Sequence, residues 1–337
     1  MPARVLSGMR STGKLHLGHY HGVLANWLRL QEEYECFFFV ADWHALTTDY
    51  AEPGKIRENA VEMTIDWLSV GIDPRKATVF RQSFVKAHAE LFVLLSMITP
   101  LSWLERNPTY KEQLQEIRDK DLHTFGFLGY PVLQTADIII YRAEKVPVGI
   151  DQAPHLELSR EIARRFNHFY GEVFPEPQTI LTSQPRVLGT DGRKMSKSYN
   201  NAIFLSDPPD AVERKMLHMM TDTARKRRSD PGNPDVCPLF ITFHLLYSDE
   251  PTIQWVREGC TGALIGCTEC KRSVIPRVLA MLEPVRKRRA EFEKDPGGVE
   301  AILEEGSMKA REAAEATMAE ARKAIGLETS RGARPGR

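Results

Sequence analysis

The chain has 337 residues, 42% of them hydrophobic, enough to bury one large core or two smaller ones, which excludes disorder as a whole. Its 45 Lys and Arg balance 45 Asp and Glu, so it is no nonspecific polycation, although basic residues gathered on one face can still meet a nucleic acid. No apolar run approaches the ~20 residues that span a bilayer and no signal-like stretch opens the chain, so no membrane association and a cytoplasmic location are expected.

An apolar segment at 5–7 ends at Gly8, a polar glycine-punctuated stretch follows at 9–18, and an amphipathic pattern fills 20–34, which reads as strand, loop and helix. Phe-rich residues 36–41 and residues 78–81 read as strands with a helix over 53–70 between them. Helices are predicted over 90–97, 133–141 and 153–169, with a short strand at 146–149. This alternation predicts an α/β fold, a Rossmann-like doubly wound parallel sheet, within residues 1–185. A polar loop is predicted at 186–206, a C-terminal all-helical domain at 207–327 and a disordered tail at 328–337. Two basic runs, Arg225 to Arg228 and Arg286 to Arg289, lie in the helical part and read singly as solvated surface.

His16-Leu17-Gly18-His19 falls where the first strand gives way to the first helix. Free amides and the positive end of a helix dipole suit an anion there, Gly18 permits close backbone approach, and two imidazoles can donate to phosphate oxygens. Lys194-Met195-Ser196-Lys197-Ser198 sits in the polar loop, where paired ammonium groups suit a triphosphate whose charge moves onto a leaving pyrophosphate. Asp151, after the strand and Gly149-Ile150, reads either as a helix cap or as an acceptor for ribose hydroxyls.

Together, in this order, the two motifs resemble the HIGH and KMSKS signatures of class I aminoacyl-tRNA synthetases. Nearly the whole chain to Leu327 is similar to bacterial tryptophanyl-tRNA synthetases, through Leu6-Ser7-Gly8, Gly71-Ile72-Asp73, Tyr130-Pro131-Val132-Leu133, Ala136-Asp137-Ile138, Val146-Pro147-Val148-Gly149 and residues 161–167. The resemblance implies activation of tryptophan by ATP and Mg²⁺ to an adenylate, transfer to tRNA(Trp), and a homodimer with its interface within 85–140. It assigns chemistry to His16, His19, Lys111, Lys194 and Lys197. ATP would be bound by Arg10, Ser11, Thr12, Gly18, His19, Gly149, Ile150, Asp151, Val187, Lys194, Met195, Ser196, Lys197 and Ser198. Tryptophan would be bound by Asp137, Tyr130, Gln134 and Gln152, with Asp137 accepting the indole N–H. A carboxylate that gains a partner from an indole and none from a phenyl ring separates the two strongly.

The chain departs from the common bacterial pattern at Ser11, where many relatives have Pro, at His19, where many have Asn, and at Gln134, where a Met is frequent. The tyrosyl enzymes also place an aspartate in the helix of Asp137, so that residue alone leaves tyrosine open. A noncatalytic RNA-binding paralogue and a small-molecule adenylyltransferase are the other readings, disfavoured respectively by the intact lysines and histidines and by the second loop with its helical domain.

Cys237, Cys260, Cys267 and Cys270 lie in the helical part with 22, 6 and 2 residues between them. Four clustered thiols in a cytosolic chain point to a metal before disulfides, and spacing alone leads to tetrahedral Zn²⁺, with buried structural thiols as the plain alternative. The spacing also resembles the 4Fe-4S site of a subset of tryptophanyl-tRNA synthetases, and that resemblance implies the cluster in a structural or RNA-orienting role.

Overall fold

The computed structural model describes residues 3–116, 120–149, 153–181 and 187–328. β1 (Arg4–Arg10) is followed by α1 (Leu17–His19), which runs through a π-helical turn (Tyr20–Leu24) into α2 (Ala25–Glu33). β2 (Glu35–Ala41), α3 (Asp42–Asp49), α4 (Ile56–Val70) and β3 (Ala77–Arg81) come next. Then follow α5 (Ala87–Ser96), α6 (Leu101–Glu105), α7 (Pro108–Glu116), α8 (Phe125–Ile140), β4 (Lys145–Val148), α9 (Ala153–Tyr170) and β5 (Gln178–Leu181). The rest is helical: α10 (Pro209–His218), a second π-helical turn (Phe240–His244) into α11 (Leu245–Tyr247), α12 (Glu250–Thr261), α13 (Cys267–Phe292) and α14 (Pro296–Ile325). Among the described residues no helix is long and apolar enough to cross a membrane.

The five strands form one parallel sheet in the order β3-β2-β1-β4-β5. Helices cover both faces, which is why β2 is apolar almost throughout rather than alternating. Its residues still divide by face. Cys36, Phe38 and Val40 join Trp27 and Trp67, with Trp27 stacked on Phe38 at 4.2 Å, whereas Phe37 and Phe39 pack with Phe80 and Tyr141 on the other side. Burial of each such ring contributes roughly 1.5–3 kcal/mol.

The first of these cores continues without a break into the helical part, through Val212, Met216, Phe240, Val274 and Val278. α14 returns to the sheet and lies along the edge strand β3. Gly306 makes this approach possible, since a Cβ there would stand 1.9 Å from the Val79 carbonyl oxygen. The Ser307 hydroxyl accepts the Arg81 N–H at 3.3 Å, so the helix also satisfies part of the open edge.

The predicted strands and the long helices are present. The helix expected at 133–141 begins at Phe125 and carries Pro131 inside it. α3, α6, α7 and β5 were not anticipated, being elements of four to nine residues, too short for a sustained apolar pattern.

Candidate active site

In a doubly wound sheet, ligands bind beyond the carboxyl ends of the strands where the order reverses, here between β1 and β4. A cavity of about 370 Å³ opens at that point, lined by Gly8 and Arg10 of β1, Val148 and Gly149 at the end of β4, and Tyr130, Gln134 and Asp137 of α8. Its size is that of a small-ligand site.

Beside it lies the His16–His19 turn. Both imidazoles are committed through Nδ1: that of His16 accepts the Gly18 N–H at 3.1 Å, and that of His19 accepts the His16 N–H at 3.2 Å. The ring protons therefore belong on Nε2 of each, available to a phosphate. A Cβ on Gly18 would stand 2.9 Å from the His16 ring, so the turn needs glycine there. Burial, then the Lys197 charge, lowers His16 to about 4; burial, with His16, Lys197 and Lys194, lowers His19 to about 2. Both are neutral donors near pH 7, not cations.

The second loop closes over this turn. Lys197 Nζ donates to the Thr12 and Gly13 carbonyls and to Thr12 Oγ1 at 3.1 Å. Burial, eased by the Asp66 charge, lowers its pKa to about 8. Lys194 and Ser198 are exposed, and Met195 is buried with its N–H donated to the Val187 carbonyl. The loop is braced by Asn201, which sequence reasoning passed over. Its buried amide accepts the Ser196 N–H at 2.8 Å and donates to Asp191 Oδ1 at 2.7 Å and to the Lys194 carbonyl at 3.2 Å.

Across the cavity, Asp137 is 1% exposed and accepts hydrogen bonds from His44 Nε2 at 2.8 Å, His88 Nδ1 at 2.6 Å and Gln82 Nε2 at 2.8 and 2.9 Å. Burial opposes its charge, but the bonds from His44 and His88 together outweigh burial and hold the carboxyl below its ordinary range. His44, Gln82 and His88 were not foreseen; the available signal was a histidine opening the largely apolar run of α5. Tyr130 is buried, and its hydroxyl meets His155 Nε2 at 3.3 Å. Arg10 faces the cavity with its pKa lowered, by burial first, and bonds Thr48 through Nη2. Among the described residues its Nε has no hydrogen-bond partner, and neither has the hydroxyl of the buried Ser11.

Lys111 stands exposed on α7 and is not one of the residues lining the cavity. Ile150, Asp151 and Gln152 lie outside the described residues.

The cysteines come together away from the cavity. Cys237 and Cys270 are buried and Cys260 and Cys267 half-buried, all as free thiols. Burial, followed by the charges of Cys237, Cys260 and Cys267, pushes Cys270 up to about 12. Cys270 Sγ lies 3.3 Å from His244 Nε2, and Arg225 Nη1 is 3.8 Å from Cys260 Sγ. Among the described residues no three His, Cys, Asp or Glu side chains are arranged to hold a single metal ion. The two basic runs part company here: Lys226, Arg227 and Arg228 are exposed, whereas Arg289 is buried among carboxylates.

A parallel sheet with a histidine turn at its switch point and a lysine loop closing over it is the architecture of a class of nucleotide-activating enzymes. Residues 1–283 match the family described as tRNA synthetases class I (W and Y), and the chain belongs to that family. The tryptophan–tRNA ligase of Thermotoga maritima is 54% identical over 96% of this chain and 99% of its own. That of Aquifex aeolicus is 47% identical over 96% of this chain and 100% of its own. The crystal structure of tryptophanyl-tRNA synthetase from Campylobacter jejuni, complexed with ADP and tryptophan, matches with a TM-score of 0.86 at 33% identity, covering 96% of this chain and 100% of that one. Within the family the chain stands with the tryptophan–tRNA ligases.

Proposed function

We propose that the chain activates tryptophan with ATP and esterifies it to tRNA(Trp). In the first step a tryptophan carboxylate oxygen attacks the α-phosphorus; a P–O bond forms, the bond to the bridging oxygen breaks, and pyrophosphate leaves. In the second a ribose hydroxyl at the tRNA terminus attacks the adenylate carbonyl and AMP leaves. Neither step needs a protein nucleophile, so positioning and charge stabilisation carry the catalysis.

The supporting observation is the convergence of His16, His19 and Lys197 at the switch point, next to the cavity walled by Asp137. The two Nε2–H groups donate to the phosphates, and Lys197 exchanges its carbonyl partners for the leaving pyrophosphate, with Lys194 entering from solvent. Gly18, Thr12, Val187, Met195, Ser196 and Ser198 shape the nucleotide side, joined by Gly149, Ile150 and Asp151. Mg²⁺ bound to the ATP phosphates would neutralise part of their charge. Arg10, a half-buried cation with an open donor, and the buried Ser11 face the reacting carboxylate and α-phosphate. Lys111, exposed on α7, is assigned to the phosphates by the family resemblance.

Asp137 takes the indole N–H, sharing the oxygen that now accepts from His44, while Tyr130, Gln134 and Gln152 orient the amino group. Exchange of labelled pyrophosphate into ATP with each of the twenty amino acids, without tRNA, tests this. Exchange with tryptophan alone supports the reading, exchange with tyrosine alone overturns the role of Asp137, and none with any amino acid leaves a noncatalytic paralogue.

For the thiols we favour a 4Fe-4S cluster over Zn²⁺. The preference rests on the spacing of 22, 6 and 2 residues between the four cysteines, all free thiols that would serve as thiolate ligands. Gly232 leaves room beside Cys260, where a Cβ would lie 2.6 Å from Sγ, and backbone amides including those of Leu239 and Phe240 bond Cys237. Iron with equal inorganic sulfide in anaerobically purified protein supports this; stoichiometric zinc overturns it. The cluster would fix the exposed residues Lys226, Arg227 and Arg228 for tRNA, in the cytoplasm where charged tRNA is used.

A homodimer is supported by Val93, Met97, Leu101 and Phe125, all large and exposed within residues 85–140. Sedimentation at micromolar concentration reads it directly, a monomer excluding it.

A further inference from the structure

The structure assigns a positioning role to Asp66 and Arg289, which together hold the backbone turn ahead of His16; this rests on the reading of His16 as a phosphate-binding group. Asp66 lies on α4, fully buried, and its Oδ2 accepts the Leu15 N–H at 2.7 Å. Its Oδ1 accepts from Arg289 Nη1 at 2.5 Å, and Arg289 comes from α13 in the helical part. Three consecutive amides are thereby fixed: Leu15 to Asp66, His16 to the His19 ring, and Leu17 to the Ile203 carbonyl at 3.0 Å. Only the first of these contacts depends on a residue of another helix, held in turn by α13.

Packing alone does not call for this carboxylate. Arg289 is already paired with Glu62 at 2.6 Å and Glu293 at 2.9 Å, both at the rim, and α13 is also tied to α4 through Arg288 and the Ser69 carbonyl. A buried carboxylate is costly to keep charged, and burial raises Asp66 to about 6 against the pull of Arg289. What Asp66 adds is a charged acceptor for one loop amide and a negative charge that favours the ionised form of Lys197. His16 and Lys197, one from each motif, therefore lean on the same group. Cys267 and Cys270 begin the helix on which Arg289 sits, roughly 30 Å away along 22 residues at ~1.5 Å each.

The test is a double-mutant cycle in the full chain, read by pyrophosphate exchange at varied ATP and varied tryptophan, with thermal unfolding recorded for each variant. Asp66→Asn is expected to lower kcat on the order of 10- to 100-fold, as a displacement of about 1 Å at a reacting group does, with KM for tryptophan unchanged. Arg289→Lys should show a smaller loss of the same kind. In a His16→Ala background Asp66→Asn should lose most of its effect, because the group it positions through Leu15 is gone and only its charge on Lys197 is left. Unchanged kcat in folded Asp66→Asn overturns the inference, and so does a full additional loss in the His16→Ala background, which marks a merely structural residue. Should Asp66→Asn not fold, Arg289→Lys enters the same cycle and is judged by the same two outcomes. Full activity of His16→Ala alone would instead remove the role of His16, and the inference with it.

Discussion

His16 donates its backbone N–H to the Nδ1 of His19, so the second histidine of the motif fixes the first while keeping its own Nε2–H for the ligand. Tautomer, ring orientation and turn geometry are one arrangement, and the consequences for pH and substitution follow from it.

Because burial holds His16 at about 4 and His19 at about 2, neither titrates between pH 5 and 8. The acid side of the kcat/KM profile for ATP should be flat down to about pH 5 with respect to these rings. Their folded pKa values lie below the usual ~6.5, so the unfolded chain binds more protons in acid and stability falls as pH drops through that window. His19→Ala should cost ~10²- to 10³-fold in exchange rate, the usual loss of one charge-stabilising donor. An acid limb near pH 6.5 that vanishes in His19→Ala would show a cationic histidine instead.

Lys197 is depressed by burial to about 8 and is ionised below that value in the free enzyme. The kcat/KM for ATP should therefore decline as pH rises through about 8, and Lys197→Arg should shift that limb beyond pH 10, since arginine stays charged. The linkage has the opposite sign to activity: the unfolded lysine holds its proton to higher pH, so this group's contribution to stability rises from pH 8 toward its ordinary value. A limb unmoved in Lys197→Arg would assign it elsewhere.

Asn201→Ala removes the acceptor for the Ser196 N–H and the donor to Asp191 and the Lys194 carbonyl. A buried donor left unpaired costs about 1–3 kcal/mol, here spent on loop order rather than on the sheet. KM for ATP should rise several-fold with KM for tryptophan unchanged, measured by exchange at varied substrate; equal changes in both would place Asn201 in the general fold.

Asp137→Ala strands His44, His88 and Gln82 around a cavity. The melting temperature should fall by several degrees, corresponding to on the order of 2–4 kcal/mol, and tryptophan-dependent exchange should be lost. Asp137→Asn keeps an acceptor and should recover much of the stability while tryptophan still binds weakly. Retained tryptophan KM in Asp137→Ala would remove it from the binding site.

Much of this was legible beforehand because it is local. His16 to His19 and Lys194 to Ser198 are contiguous, and strands such as β2 are long apolar runs with sharp ends. The parts that escaped are built from residues distant in the chain. Nothing near Asp66 signals a bond to Leu15 or to Arg289, more than 200 residues on, and Arg289 read as the end of a solvated basic run. The partners of Asp137 come from three separate elements, so only the carboxylate could be singled out from its neighbours. Asn201 looked like the tail of a polar loop; its burial comes from the loop folding onto itself.

The close seat of Gly306 on Val79 also bears on the order in which the protein can be made. The edge of β3 is shielded by a helix some 225 residues downstream, and ribosomal synthesis delivers that helix after all five strands. Until it emerges, the nascent sheet presents an unpaired strand edge of the kind that recruits other chains. The nucleotide-binding half is thus among the first parts translated and among the last to be made safe, and a chain released before α14 is complete would carry its motifs intact on a surface prone to aggregate.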